Sequence, residues 1–363
     1  MRRLLAIAAA ALLWSIPSSA CTAVIVSAEA SATGRPLIWK QRDTSAGLNY
    51  LDHFEATPGT YAFTGMVNSD DRERESVWCG SNEAGFSIIN TQSYGLSPLV
   101  TDDRPYEGMV MKKALEICRT VDEFEAYISS LAQPNGLEAN FGVIDAEGGA
   151  AWFEVHDYGY TRFDVSDAAE GYIIRTNWSM TGREGEGKGY DRYDVATSMM
   201  AAHEGPFDAE WIIDVLGRQE IIARDKTVCS VVIEGPGKDD AKDSAVIWCA
   251  PGYTPCSYVI PAWVAAGDEI ASPLRYRSAN GRRGSSFNEL ARKLMKKYFL
   301  TSGHDTEKGR ILSAVRNAES VEFAEGRKLD AEMKNRGAGS EAVRSFNASA
   351  AARFRAFRGK VSF

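Results

Sequence analysis

Histidine is scarce in this chain, and the cysteines are not closely paired in the sequence. The 363 residues include four histidines and six cysteines, and no two cysteines form a CxxC pair. Zinc sites usually combine closely spaced cysteines with histidines, so the composition predicts no metal site. The only histidines that could serve in a cysteine–histidine pair are His53, His156, His203 and His304.

An excess of basic residues and long apolar runs are also lacking. The formal net charge is −8, whereas nucleic acid binding favours clustered lysine and arginine, so nucleic acid is not an expected partner. Beyond residue 20, no apolar run reaches the roughly 18 residues that indicate a membrane span. Hydrophobic residues make up 44% of the chain, which is enough for the sizeable core of a globular protein.

The first 20 residues have the pattern of a secretory signal peptide. A basic start is followed by an apolar run over residues 4–16 and by the small residues Ser18-Ser19-Ala20. This order predicts cleavage after Ala20 and export, so that the mature protein is periplasmic or secreted. Cys21 would then be the first residue and would carry a thiol and a free α-amine. A nucleophile with its own base is the arrangement of hydrolases with an N-terminal nucleophile.

Two other interpretations of Cys21 stay open at this point. Bacterial lipoproteins also place a cysteine at the cleavage point, but they usually carry a leucine-like residue three places earlier, where this chain has Ser18. Cys21 could also be a disulfide partner, because an exported compartment permits disulfides. Of the other cysteines, Cys249 and Cys256 flank the turn-rich segment CAPGYTPC and are the expected bridged pair.

The pattern of short strands and helices predicts an α+β fold. Residues 21–43 read as a strand, a turn and a strand, because CTAVIV and LIWKQRD flank the turn signal SATGRP. Further along, strand pairs alternate with helix pairs, which favours a layered α+β architecture. Past residue 273 the composition shifts to Ala, Arg, Lys and Glu at helical spacing. We expect a signal peptide over 1–20, one domain over 21–272, and over 273–363 a helical C-terminal extension that is either a tail on the core or an interaction arm.

Five short blocks carry a resemblance to a known family. They are, in order, CTAVIV, WKQRD, NEAGF, RTNW and YDRY. Together they are similar to the linear-amide carbon–nitrogen hydrolases, which include choloylglycine hydrolases, penicillin V acylases and acyl-CoA:6-aminopenicillanic acid acyltransferases. The resemblance implies the four-layer αββα sandwich of N-terminal-nucleophile (Ntn) hydrolases. It also implies a cysteine nucleophile acting on linear amides, no metal, no cofactor and a possible homo-oligomer.

The same resemblance implies four catalytic residues. Cys21 matches the nucleophile, and Asp43 matches the aspartate that holds the N-terminus. Asn177 matches the asparagine of the oxyanion hole, and Arg192 matches the arginine that completes the cluster. From the sequence alone, Asp43 could instead be a turn residue at a strand end, Asn177 a turn cap, and Arg192 a solvated charge on a helix.

Four further residues are candidates for supporting roles. Choloylglycine hydrolases carry an arginine three residues before the aspartate, where this chain has Lys40, which keeps the charge but lacks the planar fork. Arg42 could substitute for it, although strand alternation points it away from Asp43. The second oxyanion donor falls near Asn90 or Gln92, either as a side chain or as a backbone N–H.

The sequence supports three classes of function. The first is an amidohydrolase or acyltransferase that acts on an N-acyl amide through a thioester at Cys21. The second is a dipeptidase with an N-terminal cysteine, which needs a free α-amine on a short peptide substrate. The third is a lipid-anchored protein without enzymatic activity. Substrate choice is expected to depend on the loops over 44–75, 93–106 and 180–190.

Overall fold

The computed structural model of the chain describes residues 20–97, 106–279, 282–336 and 340–362. Of the predicted signal peptide, only Ala20 lies within these ranges. Residues 98–105 of the predicted loop 93–106 also lie outside them. Within them the chain forms a six-stranded sheet, a seven-stranded sheet and a separate two-stranded hairpin, all antiparallel.

The first sheet contains the strand that begins at the predicted nucleophile. Its strands are numbered in chain order and follow one another from edge to edge as Tyr172–Arg175 (β10), Ala20–Val26 (β1), Leu37–Asp43 (β2), Thr227–Glu234 (β11), Val246–Pro251 (β12) and Ile260–Trp263 (β13). The predicted hairpin of β1 and β2 is confirmed, with Cys21 opposite Arg42 and Ala23 opposite Lys40. Every residue of these two strands is buried, because the sheet is covered on both faces.

The second sheet is a meander in which each strand pairs with the next one in the chain. Its strands are Asn49–Phe54 (β3), Phe63–Asn68 (β4), Cys79–Asn82 (β5), Ser87–Gln92 (β6), Ala139–Ile144 (β7), Ala150–His156 (β8) and Gly159–Asp164 (β9). Most of its connections are short, but the one between β6 and β7 carries two helices, Tyr106–Ile117 and Val121–Ser129. The small hairpin is formed by Arg277–Ala279 (β14) and Arg282–Gly284 (β15).

Helices cover the outer faces of the two sheets. They are Tyr106–Ile117 (α1), Val121–Ser129 (α2), Tyr190–Ala201 (α3), Ala209–Trp211 (α4), Ser286–Leu294 (α5), Asp305–Arg336 (α6) and Ser340–Lys360 (α7). In the part of the chain that the structure describes, no helix is both long enough and apolar enough to cross a membrane.

Two hydrophobic cores and an interface between the sheets give the molecule four layers. On one side, Phe124 of α2 packs edge-on against Phe141 and Phe153 of the second sheet. Between the sheets, Ile25 of β1 comes close to Gly142 of β7. On the other side, the apolar faces of α3 to α7 join the core of the first sheet. The predicted α+β class with helix, sheet, sheet and helix layers is confirmed.

The C-terminal segment packs on the core of the first sheet. Phe323 of α6 lies 4.8 Å from Trp248 of β12, measured between ring centroids. Glu319 of α6 forms a buried ion pair with Arg218 at 2.7 Å and accepts the Val259 N–H at 3.1 Å. These contacts attach α6 to the first sheet.

Removing the carboxylate of Glu319 is expected to destabilise the fold. In Glu319→Ala, the buried Arg218 keeps Asp214 as its charged partner among the described residues, and the Val259 N–H loses its acceptor. Breaking a buried ion pair costs about 3–5 kcal/mol, so we expect the free energy of unfolding to fall by that amount in urea titrations. Glu332→Ala, at an exposed position on the same helix, should change it by less than about 0.5 kcal/mol. Equal effects of the two changes would contradict this role of Glu319.

The predicted disulfide between Cys249 and Cys256 is wrong. Both thiols are free and buried. Cys249 lies within β12, where it is paired on both sides, with Val231 and with Ile260, while Cys256 lies in the turn after the strand. Burial raises the pKa of both thiols well above the ordinary value, so they pack as small apolar side chains.

Candidate active site

Cys21 lies near the start of β1, on the face of the first sheet that is turned toward the second sheet. Side chains alternate along a strand, and Ile25, which shares this face, approaches the second sheet at Gly142. Only 3% of the surface of Cys21 is exposed. The cross-strand neighbour of Cys21 is Arg42. The predicted nucleophile is therefore enclosed between the sheets and lies next to a buried cation.

Asn177 and Arg192 hold the backbone of Cys21. The Cys21 N–H donates to Asn177 Oδ1 at 2.7 Å, and Arg192 Nη2 donates to the same oxygen at 2.8 Å. Arg192 Nη1 donates to the carbonyl oxygen of Cys21 and, at 2.9 Å, to Thr22 Oγ1. Three of the four predicted catalytic residues thus form one hydrogen-bonded group around the nitrogen that cleavage would turn into the α-amine.

A glycine allows Arg192 to reach this position. Gly189 precedes α3 with a φ of 78°, in the left-handed region that favours glycine. A Cβ at Gly189 would collide with the guanidinium of Arg192. Gly189 belongs to the glycine-rich segment GREGEGKGYD, whose composition predicts a loop before a helix. The fit of this glycine to the arginine cannot be predicted from the spacing.

The amide nitrogen of Asn177 is anchored to the second sheet. Asn177 Nδ2 donates to the carbonyl oxygen of Gln92 at 2.7 Å. A side-chain amide has two N–H donors, so this bond uses one of them. The side chain of Gln92 makes a separate hydrogen bond, in which its Oε1 accepts from the Tyr94 hydroxyl at 3.1 Å. Gln92 therefore contacts the group through its backbone carbonyl, and its predicted role as an oxyanion donor stays a prediction.

Asp43 is held by two residues that the sequence analysis did not single out. Its carboxylate accepts from Arg224 Nε and Nη2 at 2.9 and 2.6 Å, and from Thr227 Oγ1 at 2.6 Å. Burial raises the pKa of Asp43, whereas Arg224 and Thr227 act in the opposite direction. Across the hairpin, Asp43 is opposite Ala20, so its strand position is next to the predicted cleavage site. Arg224 precedes β11 in a segment without a recognisable motif, and this explains why it was missed.

Lys40 is a buried lysine whose Nζ, among the described residues, contacts uncharged acceptors. Its Nζ donates to Asn90 Oδ1 at 2.6 Å and to the carbonyl oxygen of Trp78 at 2.8 Å. Burial lowers the pKa of Lys40, and the nearby thiol of Cys21 acts against that shift. Asn90 therefore positions Lys40, and its predicted role as an oxyanion donor stays a prediction.

Arg42 shares the inward face of β2 with Lys40, as strand alternation predicts. Its guanidinium carbon lies 4.7 Å from the centroid of the Trp78 ring. On the two flanking strands, its direct neighbours are Cys21 and Cys229. Burial lowers the pKa of Arg42. The predicted nucleophile thus lies on the same face of the sheet as Lys40, Arg42 and the thiol of Cys229.

A buried glutamate fixes the loop that carries Asn177. Glu154 of β8 pairs with Arg175 at 3.0 Å. It also accepts the N–H groups of Met180 and Thr181 at 2.8 and 2.9 Å. The loop following Asn177, expected to affect substrate choice, is therefore tied to the second sheet. Sequence reasoning gave no role to Glu154, since nothing in a strand pattern marks a buried acid.

The histidines lie in other surroundings. His53 contacts Thr64, and His203 stacks on Phe207 and Trp211. Across the described ranges, no group of three or more His, Cys, Asp or Glu side chains is arranged to hold a metal ion. Asn82, the first residue of the block NEAGF, shapes the turn between β5 and β6, since its Oδ1 accepts the N–H groups of Ala84 and Phe86.

Comparison with known proteins gives matches among solved structures. No family model matches the sequence, and no curated protein matches it. A Caenorhabditis elegans ortholog of N-acylethanolamine-hydrolyzing acid amidase is 16% identical, with 61% of this chain and 96% of that chain covered and a TM-score of 0.47. Penicillin V acylase from Agrobacterium tumefaciens is 17% identical, with 66% and 86% covered and a TM-score of 0.42. A mutant conjugated bile acid hydrolase from Clostridium perfringens is 11% identical, with 67% and 92% covered and a TM-score of 0.45.

Proposed function

We propose that this protein is an exported cysteine amidohydrolase that cleaves a linear N-acyl amide through a thioester on Cys21. One observation carries the proposal. The nitrogen of Cys21 is bound by Asn177 Oδ1, and that oxygen is itself held by Arg192. Burial alone requires only that this N–H has an acceptor, whereas here the acceptor is a side-chain oxygen whose orientation is fixed by Arg192, which also binds the Cys21 carbonyl oxygen. An α-amine that serves as a base does need such orientation.

Export would create the base. Signal peptide removal between Ala20 and Cys21 would convert the Cys21 nitrogen into an amine with an ordinary pKa of about 7.7–8.0. Both residues are buried within β1, so a peptidase would have to act before this strand pairs with β2. The new amine would lie close to the strand position of Asp43, whose negative charge would steady the protonated amine.

The proposed reaction proceeds by acyl transfer. The amine takes the proton of the Cys21 thiol, and the sulfur attacks the carbonyl carbon of the amide. The resulting oxyanion is held by the N–H of Asn177 that is not bonded to Gln92 and by a donor of β6. The amine then protonates the leaving nitrogen, the carbon–nitrogen bond breaks and a thioester remains. Water attacks the thioester while the amine takes its proton, which releases the acid and restores the thiol.

The charges around Cys21 favour an acylase over a dipeptidase. A dipeptidase must bind the protonated α-amine of its substrate, and a carboxylate is the usual partner for that group. Lys40 and Arg42 instead line the face beside Cys21, and Asp43 is engaged by Arg224. Transfer of the acyl group to an amine in place of water would use the same thioester and remains part of the proposal.

A substrate panel tests the proposed function. The exported protein is incubated with N-acyl amides of varied chain length and with dipeptides, and product release is followed by mass spectrometry. We expect turnover of N-acyl amides and none of dipeptides. Turnover of dipeptides alone would contradict the acylase proposal, and turnover of neither class would contradict both enzymatic functions.

The contact between Arg224 and Asp43 leads to a prediction about pH. If Asp43 must be ionised for activity, Arg224→Gln removes a cation that opposes the upward pKa shift caused by burial. The acidic limb of the kcat/KM profile should therefore move to higher pH. Hydrogen bonds to charged groups contribute about 1.5–3 kcal/mol. Because the side chain of Arg224 is 37% exposed, we expect the loss of free energy to lie near the lower end of this range. The value of kcat/KM at acidic pH should then fall on the order of ten-fold. Arg224→Lys, which keeps the charge, should shift the limb less, and identical profiles for all three proteins would argue against this role.

A further inference from the structure

Asn140 is a fully buried polar residue of β7. Side chains alternate along a strand, so Asn140 shares with Gly142 the face of the second sheet that is turned toward Ile25 of the first sheet. Its direct neighbour across the strands is Thr91 of β6, and Asn140 Nδ2 donates to Thr91 Oγ1 at 3.0 Å. Asn140 therefore lies between the two sheets, in the layer that also contains Cys21.

The amide of Asn140 binds the carbonyl groups on both sides of Asn177. Its Nδ2 donates to the carbonyl oxygen of Trp178 at 3.0 Å and to that of Thr176 at 3.4 Å. The carbonyl oxygen of Asn177 itself accepts the Lys188 N–H at 2.9 Å. Three consecutive carbonyl groups are thus held in place. Because the peptide groups on either side of Asn177 are fixed, the direction in which its side chain leaves the backbone is fixed as well.

The oxygen of the same amide extends this network to the end of β6. Asn140 Oδ1 accepts from the Ser179 hydroxyl at 2.5 Å, and Ser179 Oγ lies 2.6 Å from Ser93 Oγ. Ser93 follows Gln92, whose carbonyl oxygen accepts from Asn177 Nδ2. One side chain thus connects the segment of Asn177 with the end of β6, and these are the two segments that supply the oxyanion donors in the proposed reaction.

A second buried asparagine of the same sheet makes equivalent hydrogen bonds away from Cys21. Asn82 Nδ2 donates to the carbonyl oxygens of Leu115 and Cys118 at 2.8 and 2.7 Å. Both of these residues belong to the core on the far side of the second sheet. Asn82 therefore provides a matched control, since it has the same chemistry and the same burial as Asn140 but supports a turn and a helix end.

We propose that Asn140 is a positioning residue that sets the place of the Asn177 side chain in the oxyanion hole. This inference rests on the proposed function and adds a residue to the same site. Asn177 Oδ1 accepts from the Cys21 nitrogen at 2.7 Å, so a shift of its segment would move that contact and the N–H that faces the oxyanion together. A displacement of about 1 Å can lower the rate by about 10²-fold. Asn140 acts through Asn177 and is not itself a catalytic residue.

A pair of matched variants tests the proposal. Asn140→Leu keeps a similar side-chain size and removes both the donors and the acceptor. We expect kcat for N-acyl amides to fall by about 10–100-fold and KM to stay within about three-fold. Asn82→Leu should also lower the urea midpoint but keep kcat within about two-fold. If Asn140→Leu does not fold, as judged by circular dichroism, Asn140→Asp keeps the shape and the acceptor for Ser179, lacks the N–H donors and should show the same loss of kcat.

The Asn177→Ala background separates positioning from general support of the fold. In that background no oxyanion donor is left for Asn140 to place. Asn140→Leu should then change kcat by less than about two-fold, because the effects of two residues that act as a unit do not add. It should still lower the urea midpoint, since the carbonyl groups of Thr176 and Trp178 lose their donor in either background.

Four outcomes would overturn the inference. The first is a wild-type kcat in Asn140→Leu, and the second is an equal loss of kcat in Asn82→Leu, which would reflect destabilisation alone. The third is the same fold-loss of kcat with and without the Asn177 side chain, and the fourth is a loss confined to KM. In all four the wild type still cleaves N-acyl amides, whereas failure of the proposed function would appear as a wild type that cleaves none.

Discussion

Cys21→Ala is expected to lower amide hydrolysis by at least about 10⁴-fold, because it removes the atom that forms the thioester. The change takes one sulfur from a buried position, and the hydrogen bonds of the Cys21 backbone to Asn177 and Arg192 do not involve that atom. The fold should therefore be retained. Steady-state assays of the exported variant, with the urea midpoint as a check on folding, give the comparison.

A second cysteine provides the control for this change. Cys118 is buried in the core on the far side of the second sheet, and burial raises the pKa of its thiol to about 12. Cys118→Ala should keep the activity of the wild type within about two-fold. It should lose about as much stability as Cys21→Ala does. Full activity in Cys21→Ala would remove this residue from the mechanism.

Asn177→Ala is expected to lower kcat by about 10²–10³-fold. An oxyanion donor typically contributes about that much, and this change also leaves the Cys21 nitrogen and Arg192 Nη2 without their shared acceptor. Because unsatisfied buried donors cost about 1–3 kcal/mol each, the variant should also be less stable. Single-turnover measurements of acylation separate the chemical step from product release.

An exposed asparagine provides the control for Asn177→Ala. Asn317→Ala changes an exposed asparagine on α6 and should affect neither kcat nor stability. A loss of stability in Asn177→Ala without any loss of kcat would mean that Asn177 only supports the fold. A loss confined to KM would point to substrate binding and not to stabilisation of the oxyanion.

The sequence predicted those parts of the fold and site that local patterns carry. The β1–β2 hairpin could be predicted because two apolar runs flank a turn with Gly34 and Pro36. Strand alternation likewise predicted that Arg42 faces away from Asp43. The ordered blocks led to Cys21, Asn177 and Arg192, and the structure brings these three together.

Other parts depend on contacts between segments that are distant in the chain. Arg224 reaches Asp43 across 181 positions, and no periodicity connects them. Glu154 holds the loop after Asn177 from the opposite sheet, and its identity as a buried acid follows only from that packing. The disulfide prediction failed because nearness in sequence suggested a bridge, whereas Cys249 is fixed within a paired strand. The buried Nη1 of Arg42, which has no hydrogen-bond partner among the described residues, is also invisible to sequence reasoning, since a missing partner can be seen only in three dimensions.

The most direct test of the central claim is the intact mass of the exported protein before and after a short incubation with an N-acyl amide. The proposed function predicts a mature chain that begins at Cys21 and then gains the mass of one acyl group. Peptide mapping should locate that group on the Cys21 sulfur, and it should be lost as the substrate is consumed. A mature chain that begins elsewhere, a diacylglyceryl group on Cys21, or turnover without any acylation of Cys21 would contradict the claim.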